Sequence, residues 1–321
     1  MKNEKLPHSQ STLPKAERIK IAVVGAGAMG GYFAGRMAER GIPVTLIDVD
    51  EERVAAIAGS GLRLEDEDGD RRIPITASTA RQLSEPFDLI IIFTKSMHTA
   101  PAAESVRHLV SDGTWFLTLQ NGLGNPEKIQ SIYPGNLVFM GITDVPADLI
   151  AHAHVRSHGK GTVNIWTLDG RPSDAIGQVR ALLERAGIAT KADPNIRIAV
   201  WEKVSFNAVM NPLSSLTNKP VGGLENPAGR ALIRAIVDEA VATAHAAGVA
   251  VDRDHIFERI ENALAHHKDH EPSMLQDMRA GRRTEIDAIN GALVSIGEAH
   301  GVSVPVNRTL VNLIRIAQMR P

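Results

Sequence analysis

The first half of the chain alternates short, almost wholly apolar runs with longer amphipathic stretches. The apolar runs lie at residues 21–24, 44–47, 89–93, 115–119 and 137–140. Runs of this kind are typical of parallel strands that are buried on both faces. The stretches between them predict helices at residues 28–40, 51–58, 102–110 and 126–132. Strands and helices in this alternation predict a Rossmann-type, doubly wound α/β sheet.

The pattern changes to helices alone in the second half. Two more β-like runs at residues 161–168 and 188–192 flank a predicted helix at 174–186. Further helices are predicted at residues 195–215, 229–247, 253–266, 274–280, 285–300 and 306–319. Asp193 and Pro194 have the order of an N-cap acid and a proline at the first helical position. We therefore predict a disordered tail at 1–19, a dinucleotide-binding domain at 20–193 and an all-α helical domain at 194–321.

Gly25, Gly27 and Gly30 follow the first predicted strand. In a dinucleotide-binding unit the first glycine permits the tight turn, the second lets the backbone approach the pyrophosphate, and the third lets the helix pack on the strand. N–H groups at the start of the helix, around Ala28 and Met29, then bind the pyrophosphate. A glycine-rich turn without a ligand is the disfavoured alternative, because an apolar strand precedes the motif and an acid ends the next strand.

That acid, Asp48, bears on which dinucleotide binds. A carboxylate at the end of the second strand accepts hydrogen bonds from the adenosine ribose and repels a 2′-phosphate, so it favours NAD(H) over NADP(H). Two alternatives stay open: Asp48 as a polar strand end, or as the N-cap of the next helix. Arg53 lies nearby and weakens the discrimination.

Composition excludes several classes of protein. The chain has 321 residues, a formal charge of −2 and no block rich in lysine and arginine, so we expect no nucleic-acid partner. Without cysteine there is no disulfide, thiolate nucleophile or cysteine-ligated metal, and the histidines lack ligand spacing with carboxylates. No apolar stretch approaches the roughly 18 residues of a membrane helix. We expect a cytoplasmic protein without a metal site, and the acidic turn at residues 65–70 is predicted to be a hairpin tip rather than a calcium loop.

Lys203, Asn207 and Asn211 recur every four residues and so share one face of a predicted helix. The amides are suited to hold a polar substrate, and the lysine is suited to donate the proton that carbonyl reduction requires. Pro212 is expected to bias Asn211 away from helical geometry and, through a kink, to turn it into a cleft. A solvated helix face is the structural alternative.

Three further places carry candidate residues. Ser273 with Gln276, and Thr284 with Asp287, fit two capping boxes, which would give Glu285 a first helical position. Lys95 and Asn121 follow the ends of two predicted parallel strands, where ligands of open α/β sheets bind. Asn121 and Gly122 also fit a simple turn.

Taken in order, these motifs resemble the ketopantoate reductase (2-dehydropantoate 2-reductase) family. The resemblance runs from about Lys20 to Ala317, and its most specific parts are the Lys203 helix and the stretch from Ser273 to Asn290. It implies that Lys203 is the catalytic acid and that Glu285 assists catalysis and binds substrate. It also implies substrate-binding roles for Asn207, Asn211 and Ser273, and places Lys95 and Asn121 near the cofactor and the reacting centre.

Two departures from the family pattern affect the expected substrate and cofactor. Members usually prefer NADPH and often carry arginine where this chain has Val49, and some have a substrate-contacting asparagine where Val221 follows Pro220. We therefore expect NAD(H), with NADP(H) left open by the resemblance, and reduction of ketopantoate or a similar 2-oxo acid. The alternatives are an NAD-dependent dehydrogenase that oxidises another small hydroxy acid and a non-enzymatic dinucleotide sensor. A homodimer is also left open.

Overall fold

The computed structural model describes residues 19–319, so the predicted tail lies, apart from Ile19, outside the described residues. The described strands are β1 (Ile21–Val24), β2 (Val44–Ile47), β3 (Leu62–Asp66), β4 (Gly69–Ile73), β5 (Thr76–Ser78), β6 (Leu89–Ile92), β7 (Trp115–Thr118), β8 (Val138–Thr143), β9 (Ala147–Ala151), β10 (His154–Ser157), β11 (Thr162–Thr167) and β12 (Ala189–Ala192). The described helices are α1 (Ala28–Glu39), α2 (Glu51–Ser60), α3 (Thr99–Ser105), α4 (Asn125–Ile132), α5 (Asp174–Arg185), α6 (Ile196–Thr217), α7 (Pro227–Ala246), α8 (Arg253–His266), α9 (Ser273–Arg279), α10 (Asn290–Ala299) and α11 (Pro305–Gln318).

The main sheet confirms the predicted fold class. Its strand order is β12-β11-β8-β7-β6-β1-β2-β5, and the six strands from β8 to β5 are parallel to one another. β11 runs antiparallel to β8. The chain leaves β1 for β2 on one side and later returns to β6 on the other, so the sheet has its switch point between β1 and β6. Ligands of open α/β sheets bind at such a point, beyond the carboxyl ends of the strands.

A second sheet, ordered β4-β3-β10-β9, was only half predicted. β3 and β4 form the expected hairpin around the acidic turn, and Arg36 and Arg71 pair with the acids at its base and tip. β9 and β10 were missed because only two of their nine residues, Val155 and Ser157, are buried, which leaves a weak apolar signal.

Alternate residues of the central strands enter two different apolar cores. Ile21, Val23 and Ile91 pack on one face of the sheet with α1 and α5, whereas Ile90 and Ile92 pack on the other face. This second core continues through Trp201, Val204 and Ala208 of α6 into the helical region. The period of two along each strand thus joins the sheet and the helices through one continuous apolar core.

Several predicted helix boundaries were wrong for identifiable reasons. α3 begins at Thr99, because Pro101 is tolerated in a first turn, and it ends at Ser105 before a 3₁₀ turn at Arg107–Leu109. α6 begins at Ile196 rather than at Pro194. The Asp193 carboxylate accepts the Asn195 N–H (2.9 Å), so residues 193–195 form a turn that precedes the helix.

α6 continues through Pro212 to Thr217, so the prediction that Pro212 biases Asn211 away from helical geometry is wrong. Proline cannot bond to the Ala208 carbonyl, and the buried Asn290 amide donates to that oxygen instead (2.9 Å). Asn290 also donates to Asn307 Oδ1 of α11 (2.9 Å). A side chain 82 residues away therefore replaces the missing backbone bond and keeps Asn211 helical and buried.

Candidate active site

The glycine-rich turn between β1 and α1 has the close packing that its spacing predicts. Gly25 has φ +100°, and a Cβ at Gly30 would lie 1.8 Å from the Gly25 carbonyl oxygen, so no larger residue fits there. A Cβ at Gly27, by contrast, would meet no atom within 4 Å. Gly25 and Gly30 are thus required by the fold, whereas Gly27 borders open space.

The N-terminus of α1 is available to an anion. Among residues 19–319 no acceptor bonds to the backbone N–H groups of Gly27, Ala28, Met29 or Gly30, and Gly27 provides no side-chain cap. Such N–H groups and the helix dipole together bind pyrophosphate groups. The turn therefore fits a dinucleotide.

Asp48 supports this turn from the end of β2. Its Oδ2 accepts the Ala26 N–H (2.6 Å) and its Oδ1 accepts the Asp50 N–H (3.0 Å). Arg53 lies between two acids, with Nη1 3.4 Å from Asp48 and Nη2 3.3 Å from Asp50. The N-cap of α2 is Asp50, which accepts the Arg53 N–H, so the N-cap alternative for Asp48 is wrong.

The helical region docks on the carboxyl ends of β6 and β7. Lys95 forms an ion pair with Asp277 of α9, which also binds Arg282, and the Ser96 N–H donates to Glu285 Oε1 (2.8 Å). Gly122 has φ +90°, and a Cβ there would lie 2.5 Å from the Ala288 carbonyl oxygen. The Asn-Gly turn is therefore also a close contact between the two regions.

Both capping boxes proposed for the α9–α10 stretch are absent. Pro272 is the N-cap of α9, and Gln276 donates instead to the Glu271 carbonyl (3.0 Å). Thr284 binds Gln318 of α11 (2.9 Å), and α10 begins only at Asn290. Glu285 therefore lies in a turn, and Ser273 is the exposed first residue of α9.

Glu285 occupies a low-dielectric position at this junction. Burial raises the pKa of its carboxyl, while the Ser96 hydrogen bonds and the Lys95 charge lower it and the Asp277 charge raises it. A cavity of about 330 Å³ lies beside it, lined on the sheet side by Ser96 and Leu123 and on the helical side by Ala288 and Ile296. A carboxyl in such a position exchanges protons nearer to neutral pH than an exposed one does.

Lys203 is held against the end of β8. Its ammonium donates to the Thr143 carbonyl oxygen. Burial and, second, the Arg259 charge lower its pKa to about 8, against the opposing charges of Asp144 and Glu285. An ammonium with this pKa gives up a proton far more readily than an ordinary lysine. Sequence reasoning missed Thr143, because a backbone carbonyl 60 residues away carries no residue-type signal.

Four of the predicted substrate-binding side chains have unused hydrogen-bonding capacity. Within the described residues, the side chains of Asn121, Asn207 and Ser273 make no hydrogen bond, and Asn211 accepts only a long one from the Met274 N–H (3.4 Å). The predicted polar side chains of α6, α9 and the β7 turn are thus not paired to each other, and the only hydrogen bond in residues 19–319 that links one of them to a neighbouring element is the long Met274–Asn211 contact.

Residues 19–319 contain no cluster of three or more histidine or acidic side chains placed to hold a metal ion. No helix in the same range has the length and apolar character needed to cross a membrane.

A Rossmann-type sheet with an open helix N-terminus, followed by helices that carry a half-buried lysine, defines a dinucleotide-binding protein with a helical second part. The chain belongs to the ketopantoate reductase PanE/ApbA family: the family model matches residues 21–170, and the model of the family's C-terminal part matches residues 195–318. The predicted family membership is confirmed.

Similar proteins cover nearly the whole chain. The 2-dehydropantoate 2-reductases of Halobacterium salinarum and Pyrococcus abyssi are each 33% identical over 303 residues, covering 94% and 92% of this chain and 99% and 97% of theirs. A PanE/ApbA family ketopantoate reductase structure from Ralstonia eutropha has a TM-score of 0.87 at 32% identity, covering 94% of this chain and 98% of its own. D-mandelate dehydrogenase with NADH and anilino(oxo)acetate has a TM-score of 0.89 at 28% identity, with the same coverage.

Proposed function

We propose that this protein reduces 2-dehydropantoate (ketopantoate), or a closely similar 2-oxo acid, to the 2-hydroxy acid with a hydride from a nicotinamide dinucleotide. The observation that carries the proposal is Lys203, an ammonium of lowered pKa at the junction between the sheet and the helices. The relatives named as 2-dehydropantoate 2-reductases over nearly the full chain support the substrate.

The dinucleotide would be held by the open N-terminus of α1, with its pyrophosphate on the N–H groups from Gly27 to Gly30 and its ribose at Asp48. When bound, the nicotinamide supplies the hydride that adds to the carbonyl carbon. Lys95 and Asn121, at the ends of β6 and β7, are the remaining candidates for contact near the reacting centre.

Lys203 completes the reduction as general acid. As negative charge develops on the carbonyl oxygen, an N–H bond of the Lys203 ammonium breaks and an O–H bond forms, which leaves the neutral amine. The Thr143 carbonyl oxygen accepts a hydrogen bond from one ammonium N–H and so orients the others. The lowered pKa brings the donor close to working pH, where general acids are most effective.

Glu285 and the unpaired amides would position the substrate. Glu285 Oε1 is held by Ser96 N–H, which leaves Oε2 for a substrate hydroxyl or for Lys203. Asn207, Asn211 and Ser273 supply polar groups for the remaining substrate oxygens. Within the described chain the side chains of Asn207 and Ser273 have no partner, and Asn211 has only the long bond from the Met274 N–H, so a ligand can bond to these groups at little cost in protein hydrogen bonds.

We propose NAD(H) rather than NADP(H) as the preferred cofactor. Asp48, Asp50 and Arg53 carry two negative charges and one positive charge at the ribose end, so the group is net negative. A 2′-phosphate would meet this charge, whereas ribose hydroxyls would donate to it. The NADH bound by the D-mandelate dehydrogenase neighbour agrees with this preference.

Initial rates with ketopantoate and either NADH or NADPH at matched concentrations test both parts of the proposal. We expect rapid turnover with NADH and slower turnover with NADPH. Turnover with NADPH alone would contradict the role given to Asp48, and no turnover with either in a protein that binds NADH would contradict the substrate.

Oxidation of a different 2-hydroxy acid is the second candidate, favoured by the similarity to D-mandelate dehydrogenase and by Val221. The same residues would serve, with neutral Lys203 as the base. A panel of 2-hydroxy acids with NAD⁺, run beside the reductions, separates the two.

Homodimerisation and the absence of nucleic-acid and membrane partners also stay predictions, and light scattering would test homodimerisation.

A further inference from the structure

Arg259 lies beside the candidate catalytic helix. On α8, His255 Nδ1 contacts Glu202 of α6 (2.8 Å), and one turn later the Arg259 guanidinium lies 5.6 Å from the centre of the Phe206 ring. Glu202 and Phe206 directly precede Lys203 and Asn207 in α6. α8 therefore follows α6 alongside the stripe that carries the proposed proton donor.

Arg259 is half-buried and has no counter-ion. Within the described chain it makes no hydrogen bond and no ion pair, whereas Arg253 on the same helix pairs with Asp238 (2.8 Å). Its charge acts on the Lys203 ammonium strongly enough to be the second cause of the lowered pKa there. The positive charges of Arg259 and Lys203 repel each other, and an anion bound to Arg259 would reduce that repulsion.

We propose that Arg259 binds the carboxylate of the substrate, and thereby selects 2-oxo acids over neutral carbonyl compounds. The inference rests on the proposed function and assigns the residue that recognises the carboxylate of its substrate. In a 2-oxo acid the carboxylate is bonded directly to the reacting carbonyl carbon, so the two groups need adjacent receptors. A planar guanidinium binds a carboxylate through two parallel hydrogen bonds, while Lys203 contacts the carbonyl oxygen.

This arrangement couples substrate binding to the proton donor. The charged groups that act on Lys203 are Arg259 of α8, Asp144 after β8 and Glu285 before α10. A substrate carboxylate bound to Arg259 would offset the Arg259 charge, which otherwise repels the Lys203 ammonium, and would keep Lys203 protonated in the complex. Neutral carbonyl compounds would lack both the anchor and this electrostatic effect.

The test compares Arg259→Met, which keeps an unbranched stem over Phe206 but removes the charge, with Arg259→Lys and a control, Arg234→Met, at an exposed position of α7. Ketopantoate kinetics are measured with NADH or NADPH. Calorimetry measures the binding of oxamate, in which a carboxylate adjoins a carbonyl, to the cofactor-loaded protein.

For Arg259→Met we expect the oxamate Kd and the ketopantoate KM to rise by about tenfold to a hundredfold, the range for a lost charged hydrogen bond. Arg259→Lys should lose less, the control should match the wild type, and cofactor affinity should not change. The alkaline limb of kcat/KM should also move to higher pH, because removal of the positive charge raises the pKa of Lys203. The shift of this limb reports the Arg259 charge near Lys203, whereas the oxamate Kd reports the carboxylate contact itself.

Wild-type affinity for oxamate in Arg259→Met would overturn the inference, as would a cofactor-loaded wild type that binds no oxamate. If the wild type binds oxamate through Arg259 but reduces no 2-oxo acid, the carboxylate site stands and the proposed function fails. The two claims are thus separated.

Discussion

The glycine-rich turn and the lysine junction lie at the same edge of the main sheet, but the chain builds them differently. The turn uses Gly25 to Gly30 and one acid on the adjacent strand, so it is complete within 30 residues of sequence. The junction combines Ser96, Thr143, Lys203 and Glu285, and its Ser96–Glu285 hydrogen bond joins residues 189 apart.

This difference predicts which properties can be changed separately. The turn depends on backbone shape and close contacts, so its variants should alter cofactor binding or folding. The junction depends on side chains brought together when the helices dock, so its variants should alter chemistry while the dinucleotide still binds. The predictions below test that separation, from the largest expected effect to the smallest.

Lys203→Ala should lower kcat by about a thousandfold, within the range attributed to general acid catalysis. NADH affinity, measured by fluorescence titration, should stay within about threefold, because in the proposed site the nucleotide is bound chiefly by the β1–α1 turn. A parallel collapse of NADH binding would mean that Lys203 belongs to the cofactor site.

Gly30→Ala and Gly27→Ala should separate packing from ligand binding. A methyl group at Gly30 would lie 1.8 Å from the Gly25 oxygen, so we expect a loss of at least about 2 kcal/mol in urea unfolding. A methyl group at Gly27 meets no protein atom within 4 Å, so Gly27→Ala should keep its stability and bind NADH at least about tenfold more weakly. Equal NADH affinity in Gly27→Ala would refute the pyrophosphate position.

Asn290→Ala should destabilise the helical region by about 1–3 kcal/mol, because the buried Ala208 carbonyl and Asn307 Oδ1 each lose a donor. Urea unfolding measures the loss. An unchanged urea midpoint would show that the hydrogen bond from Asn290 to the Ala208 carbonyl does not stabilise the helical region.

Asp48→Ala should narrow the ratio of NADH to NADPH efficiency by about tenfold, since it removes both the ribose acceptor and the charge opposed to a 2′-phosphate. Asp50→Ala is the matched comparison: it removes one charge of the same cluster and the cap of α2 but no ribose acceptor, so it should narrow the ratio less. An unchanged ratio in Asp48→Ala would contradict the assignment of the ribose to this residue.

Sequence reasoning succeeded where the structural cause is local. The short apolar runs of the strands and the spacing of the three glycines follow from rules that act within a few residues, and together they predicted the sheet and its turn. The capping boxes failed because Thr284 binds Gln318 of the distant α11. The non-helical geometry expected for Asn211 failed because α6 continues through Pro212, where Asn290 supplies the missing donor. Neither partner can be identified from local pattern.

The junction was predictable only in part for the same reason. Helical spacing grouped Lys203 with Asn207, but only the family resemblance predicted a functional role for Glu285. Thr143 and Arg259 carried no usable signal: one contributes a backbone carbonyl, and the other is one of many arginines in the chain. Their importance depends on which side chains they face after folding.

The pH dependence of kcat/KM for ketopantoate reduction tests the central claim, that Lys203 is the proton donor. Only the ammonium form can donate, and the pKa of Lys203 is lowered to about 8. The pH dependence of kcat/KM reports the pKa values of the free enzyme. We therefore expect kcat/KM to be constant below about pH 8 and to fall by about tenfold per pH unit above it. A rate that stays level until the ordinary lysine pKa of 10.5 would contradict the account.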